Sequence, residues 1–339
     1  MFRLELYKIF KRKLVWIMSL GLILLVLIQL FFTVKGNFSG ENYKRIKYEI
    51  EKYESEKGIL TDERIERFFE NYQPKEYDYF IENFIENGVP KKLDEVFGDV
   101  AFDIHFGYYE QWIFYLEDLQ KYMKYVFIFV VIAFSMIFTY EKECGMQEIL
   151  LSTKNGRKKC TRAKVLVAFF ITNTLYLFML IIFLLPLFIL TKGAGWDTSI
   201  QMVKWLKYST LDMNNLDLLL HIIFMSFMAI NVILIITLLA SFMSKSPMVA
   251  MCISLGVLFF WRPDIIMAHV ENDIVARITS LTPLNVIEVT NLVKQVPISI
   301  GSMKIHCLTI AEIIYSLMFV MGSIILFFGL KRHQKYYAS

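Results

Sequence analysis

The chain lacks the short motifs that mark the common soluble enzymes. It has no G-x-x-x-x-G-K-[ST] loop to hold ATP phosphates, no H-E-x-x-H zinc motif and no G-x-S-x-G nucleophile turn. Its five histidines are scattered over different segments, and no His or Cys pair has the spacing of zinc ligands. The sequence therefore predicts a protein with no catalytic residues, no metal site and no ATP site of its own.

Cysteine and net charge are also scarce. Only four cysteines are present among 339 residues, and none lies in the acidic segment 35–123, so no disulfide framework is expected there. The net charge is only +4, and the basic residues flank apolar runs instead of forming one patch. A nucleic-acid partner is therefore not expected.

Apolar sequence is abundant instead. Hydrophobic residues make up 56% of the chain, whereas soluble domains have about 45–50%. The excess is gathered into runs near the roughly 20 residues that a membrane-crossing helix needs. The sequence predicts an all-α polytopic membrane protein with six transmembrane helices, at 14–34, 124–140, 165–190, 217–243, 248–261 and 307–330. The fifth of these is short for a full crossing.

The remaining segments are assigned from their charge. Four of them, residues 1–13, 141–164, 244–247 and 331–339, hold 16 of the 36 Lys and Arg residues. Because basic residues beside spans mark the inner side, we expect both termini and the 141–164 loop to be cytoplasmic. Segment 35–123, with 20 acidic and 12 basic residues, is then an extracytoplasmic domain, and its periodicity is mostly helical. Segment 262–306 is predicted to be extracytoplasmic or re-entrant.

The first 13 residues predict an amphipathic helix on the membrane surface. Phe2, Leu6, Ile9 and Phe10 recur at helical spacing among basic residues. Membrane lipid is therefore an expected partner. The alternative is a basic flank that only orients the first span.

Few polar residues lie within the predicted spans, and none form a chain of Asp, Glu and His for a proton relay. Glu312 in span six and Asn231 in span four are candidates for a transport pathway. The alternatives are a structural or interfacial pairing for Glu312 and an interhelical hydrogen bond for Asn231.

The loop at 141–164, EKECGMQEILLSTKNGRKKCTRAK, is the most informative segment. Met146, Ile149 and Leu150 form an apolar ridge at helical spacing, and this ridge needs a surface to cover it. The membrane surface is one candidate and a groove on a partner protein is the other.

The loop resembles the first cytoplasmic loop of type-2 ATP-binding-cassette (ABC) exporter permeases. It contains the pattern E-x-x-x-G-x-x-E-x-L-L-S-T-x-x-G-R. The matching residues are Glu141, Glu143, Gly145, Glu148, Leu150, Leu151, Ser152, Gly156, Arg157 and Lys164. The six spans and the amphipathic start add to the resemblance. With a large segment between spans one and two, the chain is more similar to drug, peptide or ion exporters than to polysaccharide exporters.

The resemblance implies that the loop is a coupling helix seated on a separate ABC ATPase. It also implies two permease chains, identical or sister, and two ATPase subunits that hold the ATP and Mg. An amphipathic substrate, such as an antimicrobial peptide or a drug, would be exported across a bacterial plasma membrane by alternating access. The main alternative is a membrane-anchored sensor or immunity protein that binds a ligand through its extracytoplasmic domain. A secondary transporter should show inverted repeats, and no convincing pair is present.

Overall fold

The computed structural model describes the greater part of the chain outside the segment between the first two spans. The described residues are 1–38, 109–146, 159–192, 195–200, 206, 209, 211–259, 278, 280–295, 297–300 and 303–336. The predicted domain at 35–123 therefore lies mostly outside them, as does 147–158 of the predicted coupling loop.

The described residues are predominantly helical. The helices are α1 (Phe2–Phe10), α2 (Lys13–Phe38), α3 (Tyr109–Phe134), α4 (Met136–Glu143), α5 (Thr161–Thr191), α6 (Asn215–Met243), α7 (Pro247–Phe259), α8 (Val289–Val293) and α9 (Cys307–Tyr336). Strands β1 (Ile298–Ile300) and β2 (Met303–Ile305) pair antiparallel, with Ile298 opposite Ile305. This short hairpin, which the sequence did not predict, accompanies the predominantly helical fold that it did predict.

Five stretches of helix in the described part are long and apolar enough to cross a membrane. They are Val15–Lys35, Tyr115–Glu143, Thr161–Thr191, Asn215–Met243 and Cys307–Gly329. Helix α7 is apolar but has only 13 residues, which gives it a length of about 20 Å against a hydrocarbon core of about 30 Å. The sixth span therefore stays a prediction.

Helix α3 begins before residue 124, the predicted start of the second span, and the stretch long and apolar enough to cross a membrane extends back to Tyr115. Candidate span Tyr115–Glu143 includes charged residues that interrupt the apolar run in the sequence. Those charges are paired across elements: Thr33 donates to Asp118 at 2.8 Å, and Lys124 forms an ion pair with Glu288. Pairing lowers the cost of placing charge in a packed helix, so these charges are compatible with a helix that continues across the predicted boundary.

Helix α6 forms the centre of the bundle. It packs against α3, α4, α5, α7 and α9, and it is apolar around its whole circumference, as expected of a buried helix. Its start is fixed by a capping box, in which the Asn214 side chain accepts from the Asp217 amide at 2.9 Å and the Asp217 carboxylate accepts from the Asn214 amide at 3.2 Å.

The outer helices leave most of their apolar surface uncovered. In the most apolar 18-residue stretch of the α2 span, and in that of the α9 span, only 17% of the residues are buried. The corresponding share in the span formed by α3 and α4 is 72%. The protein therefore has a central pair, α3/α4 and α6, with apolar outer faces suited to lipid or to another membrane helix.

Candidate functional site

Helix α4 ends in a tight, glycine-dependent cap at the start of the predicted coupling loop. Gly145 has φ +66°, the Gly145 amide donates to the Lys142 carbonyl at 3.1 Å, and the Met146 amide donates to the Glu141 carbonyl at 3.0 Å. These two bonds define a Schellman motif, which needs a left-handed residue, usually glycine, just after the helix. Gly145 therefore sets the direction in which the chain leaves α4.

An ion pair closes the base of the loop. The Nζ of Lys164, at the start of α5, lies 2.5 Å from Oε2 of Glu141, near the end of α4. Lys164 is 3% exposed, and its Nζ also donates to the Ile137 carbonyl at 3.0 Å. Because a buried ammonium needs both charge and hydrogen-bond compensation, this pair holds the two ends of the loop together.

Helix α1 joins the same network. Lys8 Nζ lies 2.7 Å from Glu5 and 3.4 Å from Glu141, and the Cys160 thiol donates to Glu5 at 3.4 Å. Burial by itself lowers the pKa of Lys8, but the bonds to Glu5 and Glu141 outweigh it and leave that pKa raised. The N-terminal helix is thus attached to both sides of the loop base.

The network contains three groups that metals can use as ligands. Ligand atoms of Glu5, Glu141 and Cys160 lie within 4.8 Å of one another. Their charge is already matched by the ammonium groups of Lys164 and Lys8. Burial, together with the nearby Glu5, raises the pKa of the Cys160 thiol to about 11, although Lys164 opposes this. In the structure these groups form an ion-pair cluster with the two lysines.

A further lysine joins the end of α4 to the central helix, α6. Lys142 donates to the Phe242 carbonyl and, at 3.0 Å, to the Ser244 carbonyl, where α6 ends. Carbonyls at a helix C-terminus lack partners within the helix, and a lysine satisfies them. Lys142 therefore joins the end of α4 to the end of α6.

The sequence model for ABC-2 family transporter proteins matches residues 1–330. The chain belongs to the ABC-2 transporter family. No curated protein and no solved structure matches it. The match spans α1, both sides of the loop base and all five candidate membrane spans. An ABC-2 permease is a multi-pass membrane component, and in general it has no ATP site and works with an ABC ATPase.

The predicted coupling residues of this ABC-2 permease fall into two groups. Glu141 and Gly145 belong to the loop base, and Glu143 is the exposed last residue of α4. The others lie outside the described residues: Glu148, Leu150, Leu151, Ser152, Gly156 and Arg157.

Sequence reasoning missed the partners that α1, the end of α4 and the second half of the loop supply. Glu5, Lys8, Lys142 and Cys160 were not singled out. One signal was available, since Glu5 is the only acidic residue among the first 40 and stands three positions before Lys8, a spacing that brings side chains together on a helix.

Asn231 of the permease forms hydrogen bonds between two helices, α5 and α6. Asn173 in α5 and Asn231 in α6 exchange two amide hydrogen bonds, at 3.2 and 3.1 Å. Each also donates to the carbonyl four residues earlier, Phe169 or Phe227, at 2.8 Å. Asn231 is 1% exposed, so the structure describes it as an interhelical clasp.

Glu312 of the permease lines an open pocket. Its Oε1 lies 2.5 Å from Nδ1 of His221, which joins α9 to α6. The pocket has a volume of about 500 Å³, and Asp212 and Asp217 also line it. The pair is compatible with either of the roles weighed for Glu312, a structural pairing or a place on the pathway.

Proposed function

We propose that this chain is the permease subunit of an ATP-driven exporter whose motor is a separate ABC ATPase seated on the 141–164 loop. Family membership supports the general role. The observation that carries the coupling role is the Glu141–Lys164 ion pair at the base of the loop. A loop tied at its base transmits a push to the helices that flank it, whereas an untethered loop would absorb the push.

The helices on either side of the loop are well placed for this role. Helix α4 continues α3 after a break at Ser135, and α5 begins at Thr161. Both α3/α4 and α5 pack on α6. Since packed helices move as bodies instead of deforming continuously, ATP binding by the motor would shift the bundle between inward-open and outward-open arrangements.

The assembly we propose has two permease chains, identical or sister, and two ATPase subunits that carry ATP and Mg. Six apolar segments in one chain support a half-transporter, and the uncovered faces of α2 and α9 offer surface for lipid and for a second chain. Both termini are cytoplasmic in this proposal. The substrate is an amphipathic molecule, an antimicrobial peptide or a drug, exported across a bacterial plasma membrane.

Purification of the tagged full-length chain from its native membrane tests the proposal. Mass spectrometry should find an ABC ATPase in comparable amount, and the reconstituted complex should hydrolyse ATP faster when a transported peptide or drug is added. Transport by the chain without any ATPase would contradict the coupling. Ligand binding with neither ATPase nor transport would favour the sensor alternative.

A further inference from the structure

A cavity of about 600 Å³ lies between α1, the start of α2, the α3/α4 span and the first turn of α5. Its charged lining is strongly unbalanced. Two acidic residues line it, Glu5 and Glu141, against five basic ones. The basic residues are Lys8, Lys11, Arg12, Lys13 and Lys164. The cavity therefore carries an excess of three positive charges.

The two carboxylates are already engaged. Glu141 is paired with Lys164 and Lys8, and Glu5 with Lys8. Arg12 is half-buried, and its guanidinium carbon lies 5.2 Å from the centre of the Tyr140 ring. Within the described part of the chain Arg12 forms no ion pair. Glu141 and Glu5 lie near enough to act on Arg12 electrostatically, but neither pairs with it directly. A partly desolvated guanidinium with no directly paired carboxylate is suited to bind an anion, especially a phosphate, through its planar set of donors.

The other wall of the cavity is apolar. Val15 and Met18 contribute from α2, and Ile132, Met136 and Ile137 from the α3/α4 span. These residues belong to, or directly adjoin, the segments that can cross the membrane. A ligand that satisfies both walls has an anionic head and a hydrocarbon body.

Aromatic side chains mark this level of the protein as a membrane interface. Tyr7 is 62% exposed, Trp16 49% and Tyr140 50%. Tyr140 lines the cavity itself, and the Trp16 indole donates to the Phe10 carbonyl at the end of α1. Exposed Trp and Tyr residues are enriched where the hydrocarbon core meets the headgroups, which is the level expected for the mouth of a lipid site.

We propose that this cavity binds one anionic phospholipid, with the phosphate beside Arg12, Lys11 and Lys13 and an acyl chain along Val15, Met18 and Met136. The charge excess selects an anionic head over a zwitterionic one. The apolar wall favours a lipid over free phosphate. Because Glu141 and Lys164 line the same cavity, the bound lipid fills the space between α1 and the base of the 141–164 loop.

Lipid binding to the purified full-length chain tests this site. The chain is titrated in detergent with phosphatidylglycerol, phosphatidylcholine or inorganic phosphate, and bound lipid is counted by native mass spectrometry. We expect one phosphatidylglycerol to be retained more tightly than phosphatidylcholine. Arg12→Gln should weaken that retention about fivefold, as should each further neutralised cation. Inorganic phosphate should compete only weakly.

Two further variants keep the test decisive. The double variant Lys11→Gln/Lys13→Gln removes two exposed charges of the cavity. It tests the same loss of lipid retention if Arg12→Gln does not yield folded protein. Lys245→Gln neutralises an exposed lysine away from the cavity and should bind lipid as the unmodified chain does.

Several results would overturn the proposal. Equal retention of the two lipids would do so, as would unchanged binding in both cavity variants. Phosphate that displaces the lipid at comparable concentration would assign the site to free phosphate. If the cavity variants kept their lipid but lost the co-purified ATPase, the basic surface would belong to an acidic protein partner instead.

Discussion

Lys164 and Glu141 stand at the two ends of the predicted coupling loop, and their side chains meet at 2.5 Å. Lys164 is buried, whereas the Glu141 side chain is 17% exposed and also faces Lys8. The two residues are therefore not equivalent. Loss of Glu141 leaves a buried ammonium with the Ile137 carbonyl and the Phe138 ring but no carboxylate. Loss of Lys164 leaves a carboxylate that keeps a second cation, Lys8.

Glu141→Ala should destabilise the permease more than Lys164→Ala does. Removing the partner of a buried charge costs about 3 kcal/mol of folding free energy, and Glu141→Ala does this to Lys164. Lys164→Ala should cost less, because Lys8 still faces the Glu141 carboxylate. The melting temperature in detergent measures this, and substrate-stimulated ATP hydrolysis by the complex measures coupling, which both variants should lower. Lys245→Ala is the control. Identical behaviour of all three variants would contradict a role for the Glu141–Lys164 ion pair.

Gly145→Ala should weaken the cap of α4. A non-glycine residue at φ +66° costs about 1 kcal/mol or more in the left-handed region, and Gly145→Asn should cost less because Asn tolerates that region. The matched control is Gly21→Ala in α2, where an added Cβ meets nothing within 4 Å and no positive φ exists. Substrate-stimulated ATP hydrolysis should fall only in the Gly145 variants. Equal effects of the Gly145 and Gly21 changes would rule out the cap.

A feature could be predicted from the sequence when the residues that determine it lie close together along the chain. Apolar runs and helical spacing are local, and four of the segments predicted from them coincide with the helices α2, α5, α6 and α9. Gly145 was found by its motif, although the motif does not reveal that it ends a helix. The bonds from α1 to Glu141 and Cys160 are long-range, and nothing local indicates them.

The pairing of the charges in α3 and the β-hairpin were not predicted, for a related reason. Asp118 and Lys124 look like solvent-exposed charges until their partners Thr33 and Glu288 are known. Three residues per strand are too few for a period-2 pattern to stand out.

The paired amides of Asn173 and Asn231 should contribute a measurable coupling energy. Replacing one residue by leucine leaves the other without its interhelical partner, while Asn173→Leu/Asn231→Leu leaves none unpaired. A double-mutant cycle on thermal stability should give about 0.6 kcal/mol, and at most roughly 1.7, as for other interhelical bonds in membranes. A transport defect in Asn231→Leu with unchanged stability and no coupling to Asn173 would instead assign Asn231 to the pathway.

Glu312→Gln separates pairing from transport. A glutamine side chain retains an acceptor oxygen for His221, so we expect the melting temperature to stay within a few degrees of the parent. If the carboxylate lies on the pathway, the transport rate should nevertheless fall, and most for cationic substrates, because Asp212 and Asp217 line the same pocket. His221→Ala is the matched variant that removes the pair from the other side. Normal transport in Glu312→Gln would leave the residue a structural role only.

The native cysteines provide the test of orientation. Cys144 follows α4 and is exposed, whereas Cys160 is buried beside Glu5. Only the thiolate reacts with maleimides, and burial raises the pKa of Cys160 to about 11, so this thiol stays protonated up to about pH 9. With the exposed Cys252 changed to serine, an impermeant maleimide should label Cys144 in opened membranes but not in intact cells. Cys160 should react slowly in opened membranes and in intact cells, both at pH 7 and at pH 9. Labelling of Cys144 in intact cells would place the end of α4 outside the cell, where no cytoplasmic ATPase reaches it.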